Sequence, residues 1–319
     1  MKNILVVNVN WMGDVILSTP VFKNLRQAFP QARICCLAVP RVAAVLRAVP
    51  QIDEVLRLKE GPLAFLGMIF TLKKHRFDAA FFLSKSRSRV LLAKWAGIPQ
   101  RIGYAKSSRN FLTHVVPKAD LKTTHRRDIY LKVIESFGVP VTDRKTALEV
   151  KDHSFTEGKG CLLVHVGANW NLKQWPLVNF ARLIQRLNQP VGIIGSTSEH
   201  ALVEKLRQLL PKDALIEDFV GRTTVPELFA LLKNAKALIT ADSGPMHAAS
   251  SVGTPVIALF GPTKDTLTGP CGTGKSMILR YDVGCNRGPC YHLSCPDNIC
   301  MQAVTVEDVL DAVKKIENT

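Results

Sequence analysis

The stretch ITADSGPMHAASSVGTPVIALFGPT, residues 239–263, carries the clearest fold signal in the chain. Two apolar runs, 236–242 and 255–261, are typical of buried strands, and residues 243–253 between them are predicted as a short helix. Pro245 suits an early helical position, and Gly253 suits the end of the helix. Strand, helix and strand in this order predict a parallel βαβ unit.

The same alternation runs outward from this stretch through both halves of the chain. Apolar runs predict strands at 4–9, 32–39, 53–58, 77–83, 101–104, 161–168, 190–195 and 214–220. Helical spacing fills the intervals at 14–29, 42–49, 62–75, 88–97, 176–188, 198–210 and 225–235. The fold class is therefore predicted as α/β, with doubly wound parallel sheets covered by helices on both faces.

The length of 319 residues suits two domains. Residues 141–160 are polar and lack helical period, which predicts a linker. We expect an N-terminal domain over 1–150, a C-terminal domain over 160–300 and a final helix within 301–319 that Thr305 caps. Ligands of doubly wound sheets bind at the carboxyl ends of the strands, so we expect the site in a cleft between the two domains.

The positive charge of the chain is concentrated in its first half. Residues 1–150 hold 25 Lys and Arg against 10 Asp and Glu, whereas residues 151–319 hold 17 against 16. Residues 85–132 alone carry 12 basic and 2 acidic side chains. Such a field attracts an anionic partner, which leaves nucleic acid, a phosphorylated membrane surface and an acidic substrate as candidates. A solvated basic face without a partner is the plainer alternative.

The N-terminus resembles a signal peptide for only seven residues. Asn8, Asn10 and Asp14 interrupt its apolar run, and no small-residue cleavage site follows. No apolar stretch reaches the roughly 18–20 residues that span a bilayer. We therefore expect a first β-strand here, in a cytoplasmic protein.

The pair Gly13 and Asp14 follows the first predicted strand. Glycine permits a tight turn and close approach of a ligand to the backbone. Asp14 is a candidate general base at the carboxyl end of that strand. The alternative is structural, because an acid at a helix start also complements the helix dipole. The GxGxxG dinucleotide fingerprint is missing from this position.

Two further strand ends carry candidate anion ligands. HVGANWNLKQWP, residues 165–176, places Lys173 in a strand-to-helix loop, where its ammonium could contact a phosphate or remain an ordinary surface charge. Asp242, Ser243 and Gly244 open the helix that contains His247, and the free N–H groups of such a helix start bind phosphate. A helix cap with a packed histidine is the alternative there.

Four cysteines near the C-terminus, Cys285, Cys290, Cys295 and Cys300, recur at a spacing of five, with His292 among them. The usual zinc signature is a pair of CxxC knuckles, which this spacing is not. Disulfides are rare in cytosolic proteins. Reduced thiols and a structural metal both stay open, and no metal ligand is assigned.

Taken together, these stretches resemble glycosyltransferase family 9, the ADP-heptose:lipopolysaccharide heptosyltransferases. NWMGDVILSTP, HVGANWNLKQWP and DSGPMHAASSVGTPVIALFGPT carry the resemblance, and CNRGPCYHLSCPDNICM is similar to the tail of the heptosyltransferase II branch. The resemblance implies a GT-B fold of two Rossmann-like domains. It implies that the N-terminal domain binds the acceptor and the C-terminal domain binds the nucleotide sugar.

The resemblance also implies the chemistry and the partners. Asp14 would be the catalytic base of an inverting, metal-independent transfer, and Lys173 would bind the donor phosphate. Glu199 would bind the nucleotide ribose, and the phosphate-binding helix start falls on the positions Asp242, Ser243, Gly244 and His247. ADP-heptose would be a substrate, with no cofactor. The acceptor would be phosphorylated lipid A–Kdo or heptosylated core, with peripheral contact to the anionic inner membrane and no nucleic acid.

Two points depart from the family pattern. Ser243 stands where threonine is frequent, and His165-Val166-Gly167-Ala168 stands where a Pro-Gly-Ala stretch is common. Two other functions stay open: a GT-B transferase that uses another nucleotide sugar such as a UDP-sugar, and a non-catalytic, basic α/β protein that binds nucleic acid. Against the latter, no recognised nucleic-acid motif is present.

Overall fold

The computed structural model of the chain separates into two compact units, Met1–Glu149 and Val150–Thr319. It describes residues 1–58, 61–105, 109–151, 155–285, 290 and 295–318. His292 lies outside the described residues. No described helix has the length and apolar character that a membrane span requires.

The first unit is built around one parallel sheet with the strand order β3-β2-β1-β4-β5-β6. Its strands are β1 Asn3–Val7, β2 Arg33–Ala38, β3 Glu54–Arg57, β4 Ala79–Phe82, β5 Gln100–Tyr104 and β6 His114–Val116. Its helices are α1 Met12–Leu17, α2 Thr19–Ala28, α3 Ala43–Arg47, α4 Pro62–His75, α5 Arg87–Trp95 and α6 Arg126–Glu135.

The second unit repeats this order as β9-β8-β7-β10-β11-β12. Its strands are β7 Leu162–His165, β8 Val191–Ile194, β9 Ile216–Asp218, β10 Ala237–Ala241, β11 Val256–Leu259 and β12 Ser276–Leu279. Its helices are α7 Leu177–Leu187, α8 His200–Gln208, α9 Val225–Asn234, α10 Gly244–Val252, α11 Asp265–Thr268, α12 Ile299–Gln302 and α13 Val306–Glu317.

Both sheets are parallel throughout and have buried central strands. The order of strands reverses between β1 and β4 in the first unit and between β7 and β10 in the second. Such a reversal is the topological switch point at which doubly wound sheets bind ligands. The predicted α/β class is therefore correct, and the switch points fall beside the candidate residues.

The predicted helix over 14–29 is in fact two helices. α1 ends at Leu17 and α2 begins at Thr19, and Ser18 donates its hydroxyl proton to the carbonyl of Val15 at 2.7 Å. Pro20 explains the break, because proline cannot donate the helical hydrogen bond and its ring displaces the preceding turn.

Residues 141–149 are not a free linker, although their polarity predicted one. Asn24 accepts hydrogen bonds from the backbone N–H groups of Thr142 and Asp143, and Glu149 donates its N–H to Ala48. The polar side chains of this segment therefore fix an irregular strip of chain to the first unit.

Candidate functional site

The candidate residues of the second unit meet at its switch point. β7 and β10 are adjacent, with His165 paired to Thr240, so the loops that follow them begin side by side. Lys173 ends the short 3₁₀ turn after β7, and Asp242 directly follows β10. The topology thus brings together two stretches that lie about 70 residues apart in the sequence.

Lys173 and the buried Asp242 form an ion pair that is mostly shielded from solvent. The Lys173 Nζ lies 2.7 Å from Asp242 Oδ2, and the two side chains are 15% and 6% exposed. Thr268 also donates to the Asp242 carboxylate, and the Lys173 ammonium lies 4.7 Å from the centre of the Trp170 ring. An ammonium has three donors, so this cation keeps capacity for an anion while Asp242 holds it in place. Lys173 is therefore not an ordinary surface lysine.

The start of α10 has the geometry of an anion site. Ser243 is its N-cap in extended conformation, and the Ser243 side chain makes no capping hydrogen bond. Gly244 and Pro245 form its first positions, and the buried His247 follows. The first N–H groups of a helix have no partner within the helix and carry the positive end of its dipole. Because Asp242 immediately precedes Ser243, the Lys173 cation lies next to this helix start.

A buried histidine that the sequence analysis noted only as a departure joins the two sides of the switch point. His165 Nε2 lies 3.0 Å from Glu199 Oε1. Its Nδ1 lies 3.2 Å from the Thr240 hydroxyl and 3.3 Å from the Ser243 hydroxyl. A carboxylate accepts only, so Nε2 carries the proton and a neutral ring accepts at Nδ1. A polar side chain at a strand end was the signal that could have found His165.

Glu199 is held by the protein at both carboxylate oxygens. Oε1 accepts from His165, and Oε2 accepts from the backbone N–H and hydroxyl of Ser196 in a capping box. Burial favours the neutral acid, but the hydrogen bonds from His165 and Ser196 outweigh it and lower the Glu199 pKa to about 2. A Cβ on Gly167 would lie 1.5 Å from Oε1, so this approach requires glycine. Binding of a ribose by Glu199 stays a prediction.

In the first unit, Asp14 occupies the first turn of α1. Its Oδ1 accepts a hydrogen bond from the Tyr130 hydroxyl at 2.7 Å and lies 3.8 Å from Arg126 Nε. Burial and the neighbouring Asp14 carboxylate raise the pKa of Tyr130 well above its usual value, so this phenol remains a donor. The sequence analysis missed α6, which supplies both partners, although apolar residues at 129, 130, 133 and 134 have helical spacing.

Gly13 does not form the tight turn that its position suggested. Helix α1 begins at Met12 after the N-cap Trp11, so Gly13 lies inside its first turn. Arg89 fixes the loop before this helix, because it donates to the Asn8 carbonyl and to the Asn10 side chain at 2.8 Å each. Close approach of a ligand to Gly13 stays a prediction.

Two groups of side chains contain residue types that bind metal ions. Cys35, Glu54 and His75 are the only His, Cys, Asp or Glu group that is compact enough for an ion among the described residues. Arg33 donates at 2.8 Å to the same Glu54 oxygen that faces both other side chains, so a cation already occupies that oxygen. Cys285, Cys290, Cys295 and Cys300 line one pocket, but among the described residues they do not lie close enough together to form a ligand group for an ion.

With this geometry in place, the comparisons with known proteins identify the family. The sequence model of glycosyltransferase family 9 (heptosyltransferase) matches residues 67–296. Lipooligosaccharide heptosyltransferase 2 of Haemophilus influenzae is 28% identical over 88% of this chain and 89% of its own. Lipopolysaccharide heptosyltransferase 2 of Escherichia coli K12 is 25% identical over 88% of each chain.

Solved structures agree on the fold. A family 9 glycosyltransferase from Veillonella parvula and the E. coli ADP-heptose lps heptosyltransferase II both match with a TM-score of 0.84 at 24% identity. They cover 99% of this chain and 97% and 98% of their own chains. The predicted GT-B fold and the resemblance to the heptosyltransferase II branch are confirmed. The chain is a glycosyltransferase, which rejects the non-catalytic alternative, and it belongs to glycosyltransferase family 9, the heptosyltransferase family.

Proposed function

We propose that this chain transfers a heptose from ADP-heptose to the inner core of lipopolysaccharide, with inversion and without a metal ion. The observation that carries the proposal is the Lys173 cation held 2.7 Å from Asp242, beside the start of α10. Cation and helix start together suit a diphosphate. Relatives named as lipopolysaccharide and lipooligosaccharide heptosyltransferases supply the substrate class.

Asp14 acts as the general base in this proposal. Its carboxylate takes the proton of an acceptor hydroxyl while the hydroxyl oxygen attacks the anomeric carbon of the heptose. Both contacts that the described residues make to the Asp14 carboxylate fall on Oδ1, which leaves Oδ2 for the acceptor hydroxyl. Positioned proton removal of this kind accelerates a reaction by roughly 10² to 10⁴.

The second unit stabilises the departing ADP. The bond between the anomeric carbon and the phosphate oxygen breaks, and its electron pair stays on the diphosphate. Lys173 and the N–H groups at the start of α10 stabilise that charge, as fixed donors do in a site that is organised before the reaction. Attack from the opposite face in one displacement inverts the anomeric centre.

The acceptor belongs with the basic first unit in this proposal. Lipid A–Kdo and its heptosylated form carry phosphate and carboxylate groups, and residues 1–150 have 15 more basic than acidic side chains. A cationic surface concentrates such an acceptor at an anionic membrane. We therefore place the enzyme at the periphery of the inner membrane, on its cytoplasmic side.

Calorimetric titration with ADP, UDP and their sugars tests the donor. We expect ADP species to bind and UDP species to fail. Tight binding of UDP-sugars would reject ADP-heptose as donor in favour of another nucleotide sugar.

The base is tested with Asp14→Ala, which should retain ADP affinity while turnover falls by about 10² or more. Turnover within a few-fold of the unsubstituted enzyme would remove Asp14 from the mechanism.

A further inference from the structure

Helix α4 is apolar on two opposite faces. Met68, Ile69 and Leu72 face the core of the first unit and are buried. Leu63, Leu66 and Phe70, three and four positions apart, face outward and are 85%, 52% and 64% exposed. A helix that is apolar all round is normally covered by its surroundings. We therefore expect a binding partner to cover the outer stripe of α4.

Helix α5, which packs against α4, adds an exposed tryptophan to this side of the first unit. Trp95 is 53% exposed, and its ring meets that of Phe65 on α4 edge-on, with centroids 5.7 Å apart. We call Leu63, Leu66, Phe70 and Trp95 the α4–α5 patch. Exposed apolar side chains grouped on neighbouring elements in this way mark binding surfaces for proteins, ligands or membranes.

The charged side chains on α4 and α5 next to the patch are all positive, and we call them its cationic rim. Lys73, Lys74 and Arg76 follow Phe70 at the end of α4, and Lys94 precedes Trp95. All four side chains are exposed, and none forms a salt bridge within the part of the chain that the structure describes. Neither α4 nor α5 contains an Asp or Glu. The partner must therefore be apolar inside and negative at its edge.

We propose that the α4–α5 patch docks the enzyme on an anionic lipid bilayer. Leu63, Leu66 and Phe70 would enter the boundary between head groups and acyl chains, as the apolar face of an interfacial helix does. Trp95 suits the head-group level, and the lysines suit the negative surface of the leaflet. The inference deepens the membrane contact in the proposed function, but it stands on this surface alone.

The other occupants fit the surface less well. The phosphates of a nucleic acid could pair with the cationic rim. The two exposed leucines of the patch would gain no apolar contact from such a partner. A second copy of the chain would bring the same cationic rim against itself, and like charges oppose such a contact. A bilayer satisfies both the apolar centre and the cationic edge.

Vesicle flotation of the full chain tests the proposal. We expect binding to vesicles of phosphatidylglycerol and phosphatidylethanolamine, and much weaker binding to phosphatidylcholine alone. The double variant Leu66→Ser/Phe70→Ser should lose about tenfold or more of the binding, because two apolar side chains no longer enter the bilayer. Lys73→Gln/Lys74→Gln should weaken binding and flatten its salt dependence.

A matched control comes from the second unit. Leu209 and Leu215 are 46% and 57% exposed, comparable to the patch, but Asp213 and Glu217 lie beside them in the sequence. Leu209→Ser/Leu215→Ser should bind vesicles like the unsubstituted chain. Brominated phosphatidylglycerol should quench tryptophan fluorescence in the unsubstituted chain, and Trp95→Phe should lose most of that quenching.

Several outcomes would overturn the proposal. One is unchanged binding of Leu66→Ser/Phe70→Ser, and another is equal loss in the control pair. Light scattering that shows a dimer converted to a monomer by Leu66→Ser/Phe70→Ser would assign the patch to a second copy. An RNA mobility shift abolished by that variant would assign it to nucleic acid. Vesicle binding without ADP binding would reject the proposed function and leave the docking surface intact.

Discussion

Glu199→Gln removes the charge that faces His165 at the end of β7 while keeping the size of the side chain. The Glu199 pKa falls from an ordinary 4.5 to about 2, because hydrogen bonds from His165 and Ser196 outweigh the effect of burial. The side chain is 20% exposed, so solvent screens these contacts only partly. At about 1.4 kcal/mol per pKa unit, the ionised carboxylate contributes about 3 kcal/mol to the free energy of unfolding.

The pH dependence follows from the sign of this shift. A lowered pKa in the folded state means that the contribution is complete above pH 4.5 and is lost as the pH falls toward 2. Glu199→Gln should therefore lower the free energy of unfolding by about 3 kcal/mol at pH 7, and the difference from the unsubstituted chain should shrink between pH 4.5 and pH 2.

Guanidinium denaturation followed by tryptophan fluorescence measures this loss in the second unit. Trp175 is 1% exposed there and donates its Nε1–H to the Val304 carbonyl at 2.8 Å, so its emission reports unfolding of this core. Glu227→Gln is the matched control. Glu227 forms a capping box with Thr224 as Glu199 does with Ser196. Loss of such a cap costs about 1 kcal/mol. Equal losses for both variants, or a difference that does not change with pH, would refute the reasoning.

Three other substitutions have defined outcomes. Tyr130→Phe removes the hydroxyl that positions Asp14, and kcat should fall about tenfold in steady-state assays with KM unchanged; a KM effect alone would contradict this. Lys173→Met leaves Asp242 buried and unpaired, so chemical denaturation should show a loss of about 3 kcal/mol, which Lys173→Met/Asp242→Asn largely restores; additive losses would contradict the pairing. Arg89→Met should cost about 2 kcal/mol in the same assay, because two acceptors lose a charged donor; a loss under 0.5 kcal/mol would show that the loop does not depend on it.

The alternation of apolar runs was sufficient to predict ten of the twelve strands among the described residues. Buried parallel strands such as Leu162–His165 consist almost wholly of apolar residues, and that signal survives without any knowledge of their neighbours. Two short strands were not predicted from the sequence. β6 has three residues, of which two are exposed, and β12 has two exposed positions. Such strands depend on pairing with a neighbour, which a local pattern does not contain.

The sequence predicted those parts of the candidate site that lie within one continuous segment of the chain. The start of α10 follows from Asp242-Ser243-Gly244 alone. The partners of these residues were not predictable, because each comes from a distant segment: Tyr130 lies 116 residues from Asp14, and Glu199 lies 34 from His165. Side chains that complete a site across a parallel sheet carry no local signature, and only the strand order brings them together.

The basic side chains of residues 85–132 do not all have the same role, so their number alone does not measure how strongly the surface attracts an anionic partner. Arg89 is 8% exposed and fixes the loop before α1, and Arg101 donates to the carbonyls of Ile98 and Phe111. Burial lowers the pKa of both guanidinium groups, which is the cost of using charge inside a fold. These cations are not available to an anionic partner. Lys94 of the same run is exposed beside Trp95, and Lys73 and Lys74 on α4 are exposed near Phe70. Part of the first unit's charge therefore lies beside apolar side chains that a bilayer would bury.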